Sequence, residues 1–180
     1  TRALECLTAA IYYEAASESD QGQRAVAQVV LNRVAHPSYP NTVCGVVYQG
    51  SERVTGCQFS FTCDGALARR PNPYFWERAR RTATAALSGY VEPSVGLATH
   101  YHTIQIYPYW APSLNHIVTI GAHRFYRWGG TAGRLDQPRH REALRRLRHG
   151  RPCETGGPGA DLDHDERAVV LILPQLRRRP

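Results

Sequence analysis

The sequence contains no methionine and no lysine, so every strongly basic side chain among its 180 residues is an arginine. We attribute the missing lysine to coding bias in a GC-rich genome rather than to function. The longest apolar run, Ala168 to Pro174, is far shorter than the roughly 18 residues that a membrane-spanning helix requires. We therefore expect no transmembrane segment. The apolar share of 42% is ordinary for a globular protein and is sufficient for a packed core.

Acidic residues are in the minority, and the net charge of +7 is unevenly distributed. Residues 1–128 hold 11 arginines and 8 acids, whereas the much shorter segment 129–180 holds 11 arginines and 7 acids. Such a balance favours attraction to anionic polymers, including those of a cell envelope. The aromatic residues are not interleaved with arginines, as a groove for single-stranded nucleic acid requires. We predict anionic envelope polymers, bound through the Arg-rich tail, rather than nucleic acid as additional partners.

Cysteines are few and stand at positions 6, 44, 57, 63 and 153. The four within residues 1–128 suit two disulfides in an oxidising compartment, with three possible connectivities. The alternative is a zinc site formed by Cys57, Cys63, His100 and His102. The spacing of six between the two cysteines does not fit the short Cys-x2-4-Cys pattern of structural zinc sites. We predict two disulfides, no metal or cofactor, and an unpaired Cys153.

One carboxylate stands out because it follows an apolar helical stripe. Leu4, Leu7 and Ile11 have the spacing of one helix face, and Glu14 and Glu18 continue that face. Partial desolvation at the end of an apolar stripe favours the neutral form of a carboxyl group and raises its pKa. A general acid working near neutral pH needs such a pKa. The alternative interpretation is a fraying helix end whose glutamate points to water.

Local patterns predict helices first and short strands later, which indicates an α+β fold. Phe59 and Phe61 are expected in the core, in an irregular loop. Composition changes after Gly129-Gly130, where Arg-rich sequence begins. The predicted helices are 2–18, 21–35, a short helix ending at Gln49, Pro73 to Ser88, and a basic helix over 138–149. Asp20 is the predicted cap of the second helix, and Asn41 or Thr42 that of the third. The predicted strands are Leu97 to Thr103, Ile117 to Ile120, His123 to Arg127 and an added strand over 167–173.

Several separated motifs occur in a characteristic order. These are Glu14 to Val34, Pro40 to Tyr48, Cys57-Gln58-Phe59-Ser60-Phe61, Ala98-Thr99-His100-Tyr101-His102, and Ile120-Gly121 followed by His123, Phe125 and Tyr126. Their order and spacing resemble the SleB/CwlJ-type cell-wall hydrolases over about residues 4 to 128.

This resemblance implies a lysozyme-like α+β domain, with helices followed by a small antiparallel sheet, that cleaves peptidoglycan glycan strands between muramyl and glucosaminyl sugars. It further implies lytic transglycosylase chemistry, in which Glu14 is the catalytic acid and then the base. Glu18 takes the place of the second glutamate in the family's Glu-Ala-Arg-Gly-Glu motif. Here Ala15-Ala16-Ser17 intervene, so the arginine and glycine of that motif are absent. The expected location is the cell envelope or periplasm, or outside the cell.

A glycan groove needs aromatic rings beside amides and small hydroxyls, because sugar rings present apolar faces edged by hydroxyl groups. If the helix continues, Glu18 lies one turn from Glu14, within about 6 Å, and raises one of the two pKa values by like-charge repulsion. One of the two histidines on the first strand is expected to have a structural hydrogen-bonding role. The candidate substrate-binding or supporting residues are Glu18, Tyr13, Gln58, Ser60, His100, Tyr101, His102, Trp110, His123 and Tyr126.

We therefore predict a catalytic domain over residues 1–128 and an Arg-rich extension over 129–180. Three other functions remain open on the sequence. A muramidase would cleave the same bond by hydrolysis. A Cys-dependent peptidase or amidase would need Cys57 or Cys63 as a thiolate beside His100. A noncatalytic wall-binding module would show no turnover, so replacing Glu14 would not change it.

Overall fold

The computed structural model describes residues 1–53 and 57–134. In this part of the chain four α-helices come first and a three-stranded sheet follows, so the predicted α+β class is confirmed. Short 3-10 turns connect these elements. The helices are α1 (Arg2–Ala15), α2 (Asp20–Ala35), α3 (Val43–Val47) and α4 (Pro73–Leu87), and the strands are β1 (His100–Thr103), β2 (Asn115–Ile120) and β3 (His123–Arg127).

Side-chain caps define the beginnings of three helices. Ser19 accepts a hydrogen bond from the backbone N–H of Gly22 and caps α2, so the predicted Asp20 cap is wrong by one residue. Thr42 caps α3, and Asn72 accepts from the first turn of α4. Proline at the first position of α4 suits that helix because its missing N–H is unpaired there in any case.

Helix α2 is buried along much of its length because it packs in two directions. Val30 belongs to the cluster that also contains Leu7 and Ile11 of α1. Val29 instead packs with Phe125 beneath the sheet. The apolar sequence around Val29 therefore predicted a buried helix correctly. Phe59 and Phe61, 3% and 2% exposed, lie in the core as expected.

The sheet has the strand order β1-β3-β2, and both pairings are antiparallel. Tyr101 of β1 lies opposite Phe125 of β3, on the face that packs against α2. His100 and His102 lie on the opposite, outer face, together with Tyr126. The predicted alternation of β1 is confirmed, although this strand begins at residue 100 rather than 97.

Two disulfides join the four cysteines of the helical half. Cys6–Cys44 links α1 to α3, and Cys57–Cys63 closes a short loop. Since Cys57 and Cys63 are bonded to each other, they cannot act as zinc-binding thiolates or as a nucleophile. Across residues 1–53 and 57–134 no cluster of three or more His, Cys, Asp or Glu side chains is arranged to hold a metal ion.

The packed structure continues beyond the predicted boundary at residue 128. A turn at Gly130–Gly133 follows β3, and the Ala132 carbonyl lies 3.0 Å from Nε2 of His36. The division of the chain into domain and extension stays a prediction, since the helix over 138–149, the strand over 167–173 and Cys153 lie outside the described residues. No helix among those that are described is long and apolar enough to cross a membrane.

The two disulfides should contribute unequally to stability. Their sequence separations are 38 for Cys6–Cys44 and 6 for Cys57–Cys63. The chain-entropy relation gives about 4 kcal/mol for the first closed loop and about 2 kcal/mol for the second. Replacing Cys6 and Cys44 together by alanine should therefore lower the free energy of unfolding more than replacing Cys57 and Cys63. Denaturant unfolding of both double variants measures the difference, and equal losses would contradict the loop-length account.

Candidate active site

Glu14 lies in the last turn of α1, where the helix dipole disfavours a negative charge. The end of this helix is fixed by side chains from two other helices. Gln23 of α2 donates from Nε2 to the Ala15 carbonyl at 3.2 Å. Arg78 of α4 donates to the Ala16 carbonyl at 3.1 Å. Because the last carbonyls of α1 are paired in this way, Glu14 has a defined position rather than belonging to a frayed end.

The Glu14 carboxyl group is half-buried and has one hydrogen-bond donor. Tyr101 of β1 donates its hydroxyl to Oε2 at 3.0 Å. Burial raises the pKa of Glu14, while the Tyr101 hydrogen bond and the positive charge of Arg33 act in the opposite direction. The negative charge of Asp64 raises it slightly, and the net result is a pKa above the ordinary value of 4.5. This group can therefore keep its proton at a pH where ordinary glutamates have lost theirs.

Arg33 lies in the interior beside this carboxyl group and is only 3% exposed. Its Nε donates to the Thr99 carbonyl at 2.6 Å. The Gln58 amide oxygen, when it faces the guanidinium, accepts from Nη1 at 2.9 Å and from Nη2 at 3.3 Å. The rings of Tyr39 and Phe59 lie 5.5 and 5.4 Å from the guanidinium carbon. This cation therefore connects α2, the disulfide loop and the start of β1 next to Glu14.

Glu18 is not one helical turn from Glu14, because α1 ends at Ala15 and a turn follows. Its Oε1 instead accepts from the backbone N–H of Ala122, in the β2–β3 turn, at 3.2 Å. A Cβ atom at Gly121 would overlap this carboxylate, and the positive φ of Gly121 also favours glycine. Glu18 is not among the charges that shift the pKa of Glu14. The expected like-charge effect between the two glutamates is wrong, and Glu18 holds the turn.

His123 supports the ring that contacts Glu14. It is buried, its Nδ1 lies 3.6 Å from Oε1 of Glu18, and it contacts Tyr101 edge-on at 5.3 Å between ring centroids. Burial lowers the pKa of His123, an effect that the negative charge of Glu18 partly offsets. Nδ1 has no hydrogen bond among the residues that the structure describes. His123 and Glu18 therefore lie behind Tyr101 rather than at the carboxyl group itself.

Three of the sequence candidates form a separate cluster on the outer face of the sheet. His102 has Thr103 O 2.8 Å from Nδ1 and the Tyr126 hydroxyl 2.8 Å from Nε2. Trp110 packs edge-on against Tyr126, with centroids 5.8 Å apart. Both His102 nitrogens have protein partners, as expected for a structural histidine, and this cluster faces away from Glu14.

The remaining candidates are His100, Tyr13, Ser60 and Gln58. His100 packs against Trp110, and burial, with a smaller contribution from Arg33, lowers its pKa to about 4, so the ring is neutral near pH 7. Tyr13 stacks on Phe61 at 4.6 Å. Ser60 is exposed at the start of the turn Ser60–Thr62. The structure therefore brings Glu14 together with Tyr101 directly and with Gln58 through Arg33.

Sequence reasoning missed Arg33, Tyr39, Thr99 and Asp64. Only Arg33 had a usable signal: it follows the apolar run Val29-Val30-Leu31 of a buried helix, and a buried charge needs partners. The backbone carbonyl of Thr99 and the position of Asp64 depend on how distant segments meet, and no local pattern reports this.

The chain is similar to known proteins that, by their description, act on cell walls. A family model described as Cell Wall Hydrolase matches residues 17–126, beginning just after Glu14. The spore cortex-lytic enzyme of Halalkalibacterium halodurans is 33% identical over 122 residues, which are 68% of this chain and 34% of the relative. The enzyme of the same name from Bacillus subtilis is 31% identical, over 68% of this chain and 36% of the relative. The chain thus spans about a third of the length of these relatives.

Two solved structures are also similar. The catalytic domain of the germination-specific lytic transglycosylase SleB from Bacillus anthracis has a TM-score of 0.58 and 31% identity, over 71% of this chain and 95% of that one. The catalytic domain of the Bacillus cereus SleB protein has a TM-score of 0.56 and 32% identity, over 71% and 91%. These similarities confirm the predicted lysozyme-like α+β fold.

Replacing Tyr101 by phenylalanine should raise the pKa of Glu14 further. The Tyr101 hydroxyl donates to the charged carboxylate and so lowers this pKa; without it, burial is less opposed. The measurement is a carboxyl-carbon NMR titration of Glu14 in both proteins. Tyr107→Phe, on an exposed ring, is the matched control and should leave the titration unchanged. A lower pKa in Tyr101→Phe would contradict the described hydrogen bond.

Glu14 should also make the stability of the protein dependent on pH. Its pKa is raised in the folded state, so the folded chain binds this proton more tightly than the unfolded chain. Relative to Glu14→Gln, the wild type should therefore lose stability as pH rises from the ordinary glutamate pKa through the raised one, and remain less stable above it. Denaturant unfolding of both proteins between about pH 4 and 8 tests this; a constant difference would refute it.

Proposed function

The chain belongs to the cell wall hydrolase family, and we propose that it cleaves peptidoglycan glycan strands between muramyl and glucosaminyl sugars as a lytic transglycosylase. The observation that carries the proposal is a single half-buried carboxyl group, Glu14, with a raised pKa, a hydroxyl donor and a buried cation beside it. The similarity to a lytic transglycosylase catalytic domain supports the same reaction.

In the first step Glu14 acts as the general acid. Cleavage of a glycosidic bond requires a proton on the leaving oxygen, and burial raises the pKa of Glu14, which favours the protonated form that can supply it. When the proton has left, the carboxylate accepts the Tyr101 hydrogen bond and lies in the positive field of Arg33. Both contacts favour the charged form, so they stabilise the group after it has acted.

In the second step the same carboxylate acts as the base. It removes the proton from the C6 hydroxyl of the muramyl sugar, whose oxygen then bonds to C1 of that sugar and closes an anhydro ring. The bond between C1 and the leaving oxygen breaks, and Glu14 ends the cycle protonated. One residue that is stable in both protonation states is sufficient for this sequence.

Hydrolysis usually requires a second carboxylate to activate water or to attack the sugar. Glu18 is occupied by the β2–β3 turn through Ala122. Asp64 is exposed, and its Oδ1 accepts from the backbone N–H of Ala66 at 2.8 Å. With one carboxylate engaged in a turn and the other capping a loop, the single-acid reaction is favoured over a muramidase.

Two exposed polar side chains of the disulfide loop are suited to binding sugar hydroxyls. Gln58 and Ser60 are exposed on the loop that the Cys57–Cys63 disulfide closes. Gln58 is also held by Arg33, so its amide is oriented before substrate arrives. We assign these two residues to the substrate groove, with Tyr13 providing an aromatic edge.

Peptidoglycan as substrate implies action in the cell envelope or periplasm, or outside the cell, and the two disulfides suit an oxidising compartment. The arginines of segment 129–180 add attraction to anionic envelope polymers, which should weaken with salt. Nucleic acid is not part of the proposed activity.

Glu14→Gln should abolish cleavage while preserving the fold. Glutamine keeps the shape and can still accept the Tyr101 hydrogen bond, but it cannot deliver a proton. General acid–base catalysis is worth about 10²–10⁴-fold, so the rate should fall by that factor or more. The measurement is mass analysis of fragments released from purified peptidoglycan, in which the wild type should produce anhydro-muramyl ends.

Asp64→Asn and Glu18→Gln are the matched controls, since each also replaces a carboxylate by its amide. Both should lose less turnover than Glu14→Gln. Reducing muramyl ends from the wild type would indicate a muramidase instead. Near-normal turnover in Glu14→Gln would place the acid elsewhere, and an inactive wild type that still binds the wall would support a noncatalytic module.

A further inference from the structure

A surface pocket outside the candidate active site lies on the outer face of the sheet. Its volume is about 420 Å³, within the size range of ligand sites. Tyr101, which contacts Glu14, points to the inner face, whereas Arg124 and Tyr126 flank Phe125 on β3 and point outward. The pocket is thus separated from the candidate active site by the sheet. Its principal walls are Tyr107, Leu114, His116, Thr119, Arg124 and Tyr126.

Arg124 gives this pocket a positive charge. Arg124 has no carboxylate within ion-pair distance and no side-chain hydrogen bond anywhere in residues 1–53 and 57–134. The sequence explains why, since no aspartate or glutamate occurs between Glu92 and Asp136. A half-buried guanidinium that is not paired by any of the described residues can form a bidentate pair with a carboxylate of a ligand.

The other walls combine one fixed aromatic ring with aliphatic and polar surface. The Tyr126 hydroxyl is bonded to His102 Nε2 at 2.8 Å, and the two rings stack at 5.2 Å, so this wall is fixed. Tyr107, 66% exposed, forms the rim, and Leu114 adds an aliphatic surface. One cation among mixed apolar and polar walls fits a short carboxylate-bearing peptide. A phosphate polymer, in contrast, is bound best by several cationic side chains, each paired with a phosphate.

The substrate of the proposed reaction carries a peptide of this kind. The muramyl sugar bears a peptide stem, and an extended peptide of four residues spans about 14 Å, so its end can lie well away from the scissile bond.

We propose that the pocket on the outer face of the sheet binds the acidic peptide stem of the glycan strand, with a stem carboxylate paired to Arg124, a role that rests on the proposed action on peptidoglycan. The pocket thereby distinguishes strands that carry stems from strands that have been stripped of them.

The test is binding of the free tetrapeptide stem, released from peptidoglycan by an amidase, to the full chain. Amide NMR titration should shift the signals of His116, Thr119 and Arg124. The same peptide with its carboxyl groups amidated should bind at least about tenfold more weakly, as should the wild-type peptide to Arg124→Gln. Arg124→Lys keeps the charge and should recover part of the affinity. Arg127→Gln, on the same strand and the opposite face, is the matched control and should bind normally.

Equal affinity for the free and amidated peptides would overturn the proposal, as would shifts confined to residues around Glu14 or no binding at millimolar peptide. Binding of the peptide-free disaccharide to this pocket in place of the peptide would also overturn it. Because the peptide contains no glycosidic bond, the result is independent of cleavage. Peptide binding by a protein that does not cleave glycan would refute the proposed function alone; cleavage without peptide binding would refute only this inference.

Discussion

The candidate active site depends on one buried cation. Arg33 is 3% exposed, and burial of a guanidinium costs several kcal/mol unless its donors are paired. The Thr99 carbonyl and the Gln58 amide supply those partners, and two aromatic rings enclose the group. These contacts come from the start of β1 and from the disulfide loop, so pairing the cation also determines where the two segments meet. Glu14, on α1, lies at that junction.

The protonation of Glu14 follows from this arrangement. Burial alone would hold the carboxyl group in its neutral form, and a nearby cation alone would keep it ionised. Here burial is the larger effect, while Tyr101 and Arg33 oppose it, so the pKa is raised without the charged form being excluded. A residue that must first give and then take a proton needs such a balance. Arg33 is therefore both a structural partner and an electrostatic one.

Local sequence patterns predicted the elements well and their ends less well. The apolar stripe of α1 correctly predicted a raised pKa for Glu14, and alternation in β1 correctly separated Tyr101 from the two histidines. The stripe could not show that α1 ends at Ala15, because that end is fixed by Gln23 and Arg78 from other helices. For this reason the expected closeness of Glu18 to Glu14 was wrong, although the contact with Ala122 agrees with the expected supporting role of Glu18. The apolar periodicity of a sequence can extend past the end of the helix, because the position of that end also depends on hydrogen bonds from distant side chains to the last carbonyls.

The two faces of the three-stranded sheet have different roles. Successive residues of a strand face opposite sides, so Tyr101 can support Glu14 while its neighbour His102 fixes Tyr126 on the other face. The residues that looked like one site in the sequence are therefore two sets that share a backbone. A slip of one residue between β1 and β3 would exchange these faces, removing the donor from Glu14 and placing a histidine in the core. The packing of the inner face opposes such a slip. Phe125 is fully buried between Tyr101 and α2, and the slip would expose its apolar ring on the outer face. Packing that stabilises the fold thus also keeps the donor on Glu14 and the cation of the outer pocket on their separate faces.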